Sequence, residues 1–210
     1  MGEIKDEIRG EVLSQQWFER SALEVAPDLI GCTLVRRFAD GRMLRGMIVE
    51  TEAYQEGDPA CHAYRKKTKR NWIMFGPAGY VYVYLIYGMY YCLNFITDRD
   101  EFASAVLIRA LAMETVDLSQ LKSREKPDRI AAGPGKLCRA MEIDLDLYGT
   151  RLEGGEALWV EGRSTTSDSI SNSIPNSTIE LVQTTRIGLT QGVDLPWRWY
   201  LKDCKAVSKP

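Results

Sequence analysis

The chain has 210 residues, 45% of them hydrophobic and 27% charged, with 27 Lys and Arg against 29 Asp and Glu for a net charge of −2. That length supports one well-buried core, and no break in composition separates a second domain. The charge balance excludes the broad basic surface of a typical nucleic-acid binder, so any contact with DNA must come from local cationic patches.

Five cysteines (Cys32, Cys61, Cys92, Cys138, Cys204) are scattered without a CxxC pair, and His62 is the single histidine. Neither zinc-ligand spacing nor a disulfide framework follows, so a reducing compartment is expected, with no metal and no cofactor. Residues 1–20 read as a charged N-terminal extension without the apolar stretch of a signal peptide, and no segment is long and uncharged enough to span a membrane. A soluble, unexported protein is the expectation.

In chain order, Ser21 with Glu24 three residues later predicts a capping box and a short helix toward Ile30, stopped by Gly31. Cys32 to Phe38 and Met43 to Tyr54 flank Asp40-Gly41 and predict a hairpin, whose second strand ends at Gly57-Asp58-Pro59. A basic run follows His62: Arg65, Lys66, Lys67, Lys69 and Arg70. It reads as a solvated loop or as a DNA-backbone contact, and it loosely matches a nuclear-import tract. The run from Gly79 to Asn94 predicts a strand carrying Tyr80, Tyr82 and Tyr84 on one face and Val81, Val83 and Leu85 on the other. Gly88 then permits a tight turn that leaves Tyr87 at a hairpin tip, a costly place for a large aromatic unless it inserts into something.

The return strand runs through Tyr90 to Ile96, and a third run spans Ala105 to Leu111. Together these strands predict one curved antiparallel sheet. Met113 to Arg124 has helical spacing, and Gly133-Pro134-Gly135-Lys136 looks like a glycine-proline entry into another helix. Residues 164–178 are rich in Ser, Asn and Thr and predict a mobile surface loop. Arg186-Ile187-Gly188 and Trp197 to Leu201 read as closing strands.

Glu50 and Glu52 sit two apart on one strand, hence on one face and about 7 Å apart at Cα. Such a pair fits a glycosidase acid/base couple, half of a metal site, or one catalytic group beside a structural neighbour, and spacing alone does not choose. Arg109 favours function, because an arginine on the buried face of an apolar strand needs an anionic partner or a bound water. Carboxylates, a tyrosine-lined face and a protruding aromatic together suit an enzyme acting on a flat ring taken out of a stack.

The ordered set Ile48-Val49-Glu50-Thr51-Glu52-Ala53-Tyr54, His62, Arg70-Asn71, Met74-Phe75-Gly76, Tyr82 to Tyr90, Asn94, Leu107 to Leu111 and Gly133 to Cys138 resembles the alkyladenine (3-methyladenine) DNA glycosylase family. The resemblance runs from about Leu23 to Tyr200. It implies an α+β fold, a single domain built on a curved antiparallel β-sheet with surrounding helices. The implied activity is monofunctional hydrolysis of the N-glycosidic bond of 3-methyladenine, 7-methylguanine, hypoxanthine or ethenoadenine in double-stranded DNA, by a monomer acting in base excision repair. By the same resemblance Glu52 is the general base and Arg109 helps hold the attacking water. Tyr54, His62, Tyr84 and Asn94 form the base pocket, Tyr87 and Met74 enter the DNA stack, and Lys136 is a further candidate for a backbone phosphate. The expected location is the cytoplasm and its nucleoid in a prokaryote, or the nucleus in a eukaryote. Two other functions fit some of the residues: a sugar-directed glycoside hydrolase using Glu50 and Glu52, and a single-strand binding module whose tyrosines stack bases. The first suffers from carboxylates that point the same way, and the second leaves Glu52 and Arg109 unexplained.

Overall fold

A computed structural model describes residues 8–163 and 179–210; the serine-rich stretch 164–178 lies outside the described residues. Among the described residues, two short helices, α1 (Gln15–Phe18) and α2 (Ala22–Asp28), precede strands β1 (Thr33–Arg37) and β2 (Met43–Gln55). Strands β3 (Val81–Ile86), β4 (Tyr90–Ile96) and β5 (Ser104–Met113) follow, then helix α3 (Pro134–Ala140) and strands β6 (Leu158–Glu161), β7 (Leu181–Thr184) and β8 (Arg198–Leu201). The capping box expected at Ser21 is present: its amide donates to Glu24 Oε2 at 3.2 Å. Every strand pairing is antiparallel, in the order β3-β4-β5-β2-β1-β6, with β8 joining β2 to β7.

Strand β2 is the hub. Met43 to Met47 pair with β1, Glu50 to Glu52 pair with β8, and Gly46 to Gln55 run beside β5. The β2–β5 register slips twice: Val49 has no partner on β5, and Arg109 has none on β2. Each slip is a bulge, which bends the strand and re-aims the side chains around it. Glu50, Glu52 and Arg109 all lie at this irregularity.

The sheet sorts its residues by the two-residue period. Val81, Val83, Leu93, Phe95, Val106, Ile108 and Ala110 bury one face with α2 and α3 in the main core. On the other face Tyr82, Ile96 and Ala105 form a second cluster with Cys61, Ala63, Ile73 and Met74. Tyr82 and Tyr84 therefore share the face expected of them, whereas Tyr80 precedes the strand and Leu85 is exposed where the hairpin leaves the sheet.

Two expected elements differ. Met113 to Arg124 is not a helix, because β5 runs on until Met113 pairs with Gly46. Beyond it Asp117 accepts from the Ser119 amide at 2.9 Å, and only a 3₁₀ turn forms at Leu118–Gln120. Nor is Arg186-Ile187-Gly188 a strand; β7 lies just before it. The Ile187 amide is spent on the Glu52 carboxylate rather than on a ladder.

Candidate active site

A transverse row of cross-strand partners makes the floor of a cavity: Tyr82 opposite Asn94, Asn94 opposite Leu107, and Leu107 opposite Glu52. Four strands thus deliver an aromatic, an amide, an aliphatic and a carboxylate to one line. Glu52 is fully buried, and its oxygens are held from three directions. Oε2 accepts from the Tyr54 hydroxyl at 2.8 Å and lies 3.2 Å from Arg109 Nη1, while Oε1 accepts from the Ile187 amide at 2.8 Å. The neighbouring Glu50 is equally buried but turned to other partners. Its Oε1 accepts from Arg109 Nε, Arg198 Nε and Ser208 Oγ, each at 2.8 Å, and its Oε2 from the Ser208 amide at 2.7 Å. Burial alone would raise the Glu50 carboxyl, yet Arg109, the Ser208 amide and Arg198 bring it below the ordinary carboxylate range. Glu52 lines the cavity and Glu50 does not.

Aromatic walls rise around this floor. The Tyr54 ring is braced by Arg186, whose guanidinium lies 4.6 Å from the ring centroid and 5.1 Å from that of Trp197. Arg186 is itself locked in a buried two-point pair with Asp58 and donates to the Ala53 carbonyl at 2.9 Å. His62 Nδ1 lies 3.0 Å from the Tyr82 hydroxyl, and its ring stands edge-on to Tyr84 at 4.5 Å. Desolvation by the pocket walls, then the Arg70 charge, pulls the His62 pKa down and favours the neutral ring. Burial raises the hydroxyl pKa values of Tyr54, Tyr82 and Tyr84 well above the ordinary tyrosine value, so all three remain donors. Asn94 is buried and fixed, its Nδ2 donating to the Tyr82 carbonyl at 3.1 Å.

With this pocket in view, comparison with known proteins is decisive: the sequence model of the methylpurine-DNA glycosylase family matches residues 16–205. This chain belongs to that family. A relative in Trichodesmium erythraeum is 55% identical over 205 residues, covering 95% of this chain and 98% of its own. One in a Synechococcus strain is 52% identical over 198 residues (92% and 97%), and one in the archaeon Methanoculleus marisnigri is 44% identical over 199 (94% and 98%). Each is named "Putative 3-methyladenine DNA glycosylase". The chain is thus a DNA N-glycosylase by family.

The glycosylase fold brings most of the expected residues together and separates others. Glu52, Tyr54, His62, Met74, Tyr82, Tyr84, Tyr87, Asn94 and Arg109 all line one cavity. At its rim Tyr87 and Gly88, both at positive φ (54° and 68°), turn the β3–β4 hairpin, with the Met89 amide donating to the Ile86 carbonyl at 3.2 Å. Tyr87 is 79% exposed. Holding a tyrosine in the left-handed region costs about 1–2 kcal/mol, a strain typical of functional tips. Met74, expected beside it as a second intercalating side chain, is only 2% exposed because the second cluster encloses it; of the exposed hydrophobics flanking Tyr87 on the hairpin (Leu85, Met89 and Tyr90), Met89 is the most exposed, at 66%.

Of the basic residues, Arg65, Lys66, Lys67, Lys69 and Arg70 are all exposed. Arg70 donates to the Leu85 carbonyl at 3.2 Å and lies 5.8 Å from the Tyr84 ring centroid, which ties the loop to the hairpin. Lys136 borders the far end of the cavity with Lys122, and its Nζ pairs with Glu125 at 2.8 Å. Among the described residues, no three His, Cys, Asp or Glu side chains are grouped to hold a metal ion, and no helix is long and apolar enough to cross a membrane.

Sequence reasoning missed Ile187, Arg186, Arg198 and Ser208. The signal was present for Arg198, an arginine between Trp197 and Trp199 on an apolar strand, which poses the same question as Arg109. Nothing in sequence pointed to the Ile187 amide, since a backbone donor carries no residue signature.

Proposed function

We propose that this glycosylase excises damaged purines, among them 3-methyladenine, 7-methylguanine, hypoxanthine and ethenoadenine, from double-stranded DNA by hydrolysing the N-glycosidic bond of a flipped nucleotide. The observation that carries this reading is the setting of Glu52: a buried carboxylate lining the cavity floor, held by Tyr54, Arg109 and Ile187. Tyr54 and Ile187 donate hydrogen bonds to it and Arg109 lies against it as an ion pair, which leaves one of the about four acceptor sites of a carboxylate for a water.

In the reaction the base departs with the bonding electron pair, and Glu52 removes a proton from the water as its oxygen bonds to C1′. The carboxylate also stabilises the positive charge that develops on the sugar. An alkylated purine is cationic and leaves readily, so positioning the water is the main task. Tyr54 and Tyr84 stack on the everted base, and an aromatic face on a cationic ring contributes about 1–2 kcal/mol. His62, with one ring nitrogen engaged by Tyr82, offers the other to the base edge. Asn94, pinned by the Tyr82 carbonyl, cannot withdraw and crowds the 2-amino group of guanine.

Tyr87, with Met89 beside it, fills the gap left by the base from the minor groove. Extrusion costs a few kcal/mol and least at damaged sites. The exposed run from Arg65 to Arg70 contacts phosphates; because the net charge is −2, this binding is salt-sensitive. Incubation with methylated duplex and with hypoxanthine-containing duplex, followed by chromatography of the released bases, tests the reading. Release of free purine with an intact strand is expected. Release of sugar, or retention of DNA without base loss, would replace it with the glycoside-hydrolase or the binding-module alternative.

A further inference from the structure

The segment after β8 is clamped beneath the catalytic carboxylate by two arginines. Arg129 donates to the carbonyls of Lys205 (2.8 Å), Val207 (3.0 Å) and Ser208 (3.0 Å), and Arg198 donates to that of Lys209. The clamp sets Ser208 against Glu50, to which it gives both its amide (2.7 Å) and its hydroxyl (2.8 Å). The same hydroxyl oxygen accepts from Arg109 Nη2 at 3.4 Å. Arg109 is thereby fixed by Nε on Glu50 and Nη2 on Ser208, which leaves Nη1 aimed at Glu52, 3.2 Å away.

Electrostatics explains why a serine suits this place. Glu50 and Glu52 balance Arg109 and Arg198 in charge, so a further ion would leave a buried surplus. A hydroxyl adds one donor and one acceptor and no charge. Ser208 also lies beyond residue 205, where the family match ends.

We propose that Ser208 is a positioning residue for base excision, holding the Arg109 guanidinium so that Nη1 stays on Glu52. The inference rests on the roles given above to Glu52 and Arg109. Around Glu52 the charged and titratable neighbours are Arg109, Tyr54, Tyr84, Cys92 and Arg186; around Glu50 they are Arg109 and Arg198.

Ser208→Ala keeps the amide bond to Glu50 and loses the hydroxyl, whereas Ser208→Thr keeps both. Single-turnover excision from methylated duplex should fall about tenfold in the alanine variant, the size expected for one hydrogen bond to a charged group. Melting temperature should fall by only a few degrees, as for one hydrogen bond to a buried carboxylate, affinity for an abasic-analogue duplex should hold, and the threonine variant should behave as the parent. An unchanged rate in Ser208→Ala, or equal losses in the alanine and threonine variants, would overturn the positioning role. Glu52→Gln, run in the same series, separates the two levels: if it excises normally, the assignment of the base falls and the role of Ser208 with it. If it is inactive while Ser208→Ala is normal, only the inference about Ser208 falls.

Discussion

The Tyr54 hydroxyl donates to Glu52 Oε2 at 2.8 Å, from two residues further along the same strand. One tyrosine therefore gives the pocket both a ring in its wall and a donor to the buried carboxylate. Burial and the adjacent Glu52 charge both oppose its ionisation, so the donor persists across the working pH range.

Tyr54→Phe separates those roles. The ring and its contact with Arg186 remain while the hydrogen bond is lost, so excision should slow about tenfold with little change in lesion affinity. Equal loss of affinity and rate, measured by titration and single-turnover assay, would assign the effect to stacking instead.

Replacing Glu52 by Gln keeps the shape of the side chain and removes the proton acceptor. Base release should drop by at least about a hundredfold, the low end of general-base contributions, while binding to an abasic-analogue duplex persists. Near-normal release of free base by the variant would sink the assignment.

Glu50→Gln should act on stability. The carboxylate is fully buried against Arg109 and Arg198, and removing one partner of such a cluster costs about 3–5 kcal/mol. Because the folded-state pKa lies below the ordinary 4.5, the Glu50 contribution is fully present above pH 4.5 and lost as pH falls through the lower folded value. Urea unfolding at pH 7 should show the loss. Between pH 5 and 3 the variant should lose stability less steeply than the parent, and an identical slope would refute the linkage.

Tyr87→Ser removes a side chain that is 79% exposed, so thermal melting should be unchanged. Excision from lesion duplex should weaken, with a smaller effect on a single-stranded substrate that needs no wedge. A large drop in melting temperature with unaltered duplex affinity would make Tyr87 a packing residue.

The reaction should be monofunctional and independent of added metal. Borohydride during turnover should trap no protein–DNA adduct, and EDTA should leave excision unchanged. The tyrosine strands supply no lysine, but Lys122 and Lys136 border the far end of the cavity, so Lys136→Ala is the sharper control. With Lys136 half-exposed and paired to Glu125, that variant should retain base release. A stoichiometric adduct that disappears in Lys136→Ala would establish amine attack.

The sequence by itself determined the elements whose signals are local. The Ser21–Glu24 box, the Asp40-Gly41 hairpin, the alternation of Tyr82 and Tyr84 with Val81 and Val83, and the Gly88 turn each follow from backbone chemistry within a few residues. The need of Arg109 for a polar partner was likewise legible, because a charge on an apolar strand must be satisfied, but not whether that partner is an anion or a water. Which of two equivalent glutamates faces the cavity was not. That depended on the bulges at Val49 and Arg109, on the Ile187 amide arriving from 135 positions away, and on Ser208 and Arg198 claiming Glu50. The burial of Met74 and the strand that claims Met113 from the expected helix escaped the sequence for the same reason. Burial and strand pairing are set by neighbours distant in sequence, and no pattern within a segment records which of its side chains those neighbours will cover.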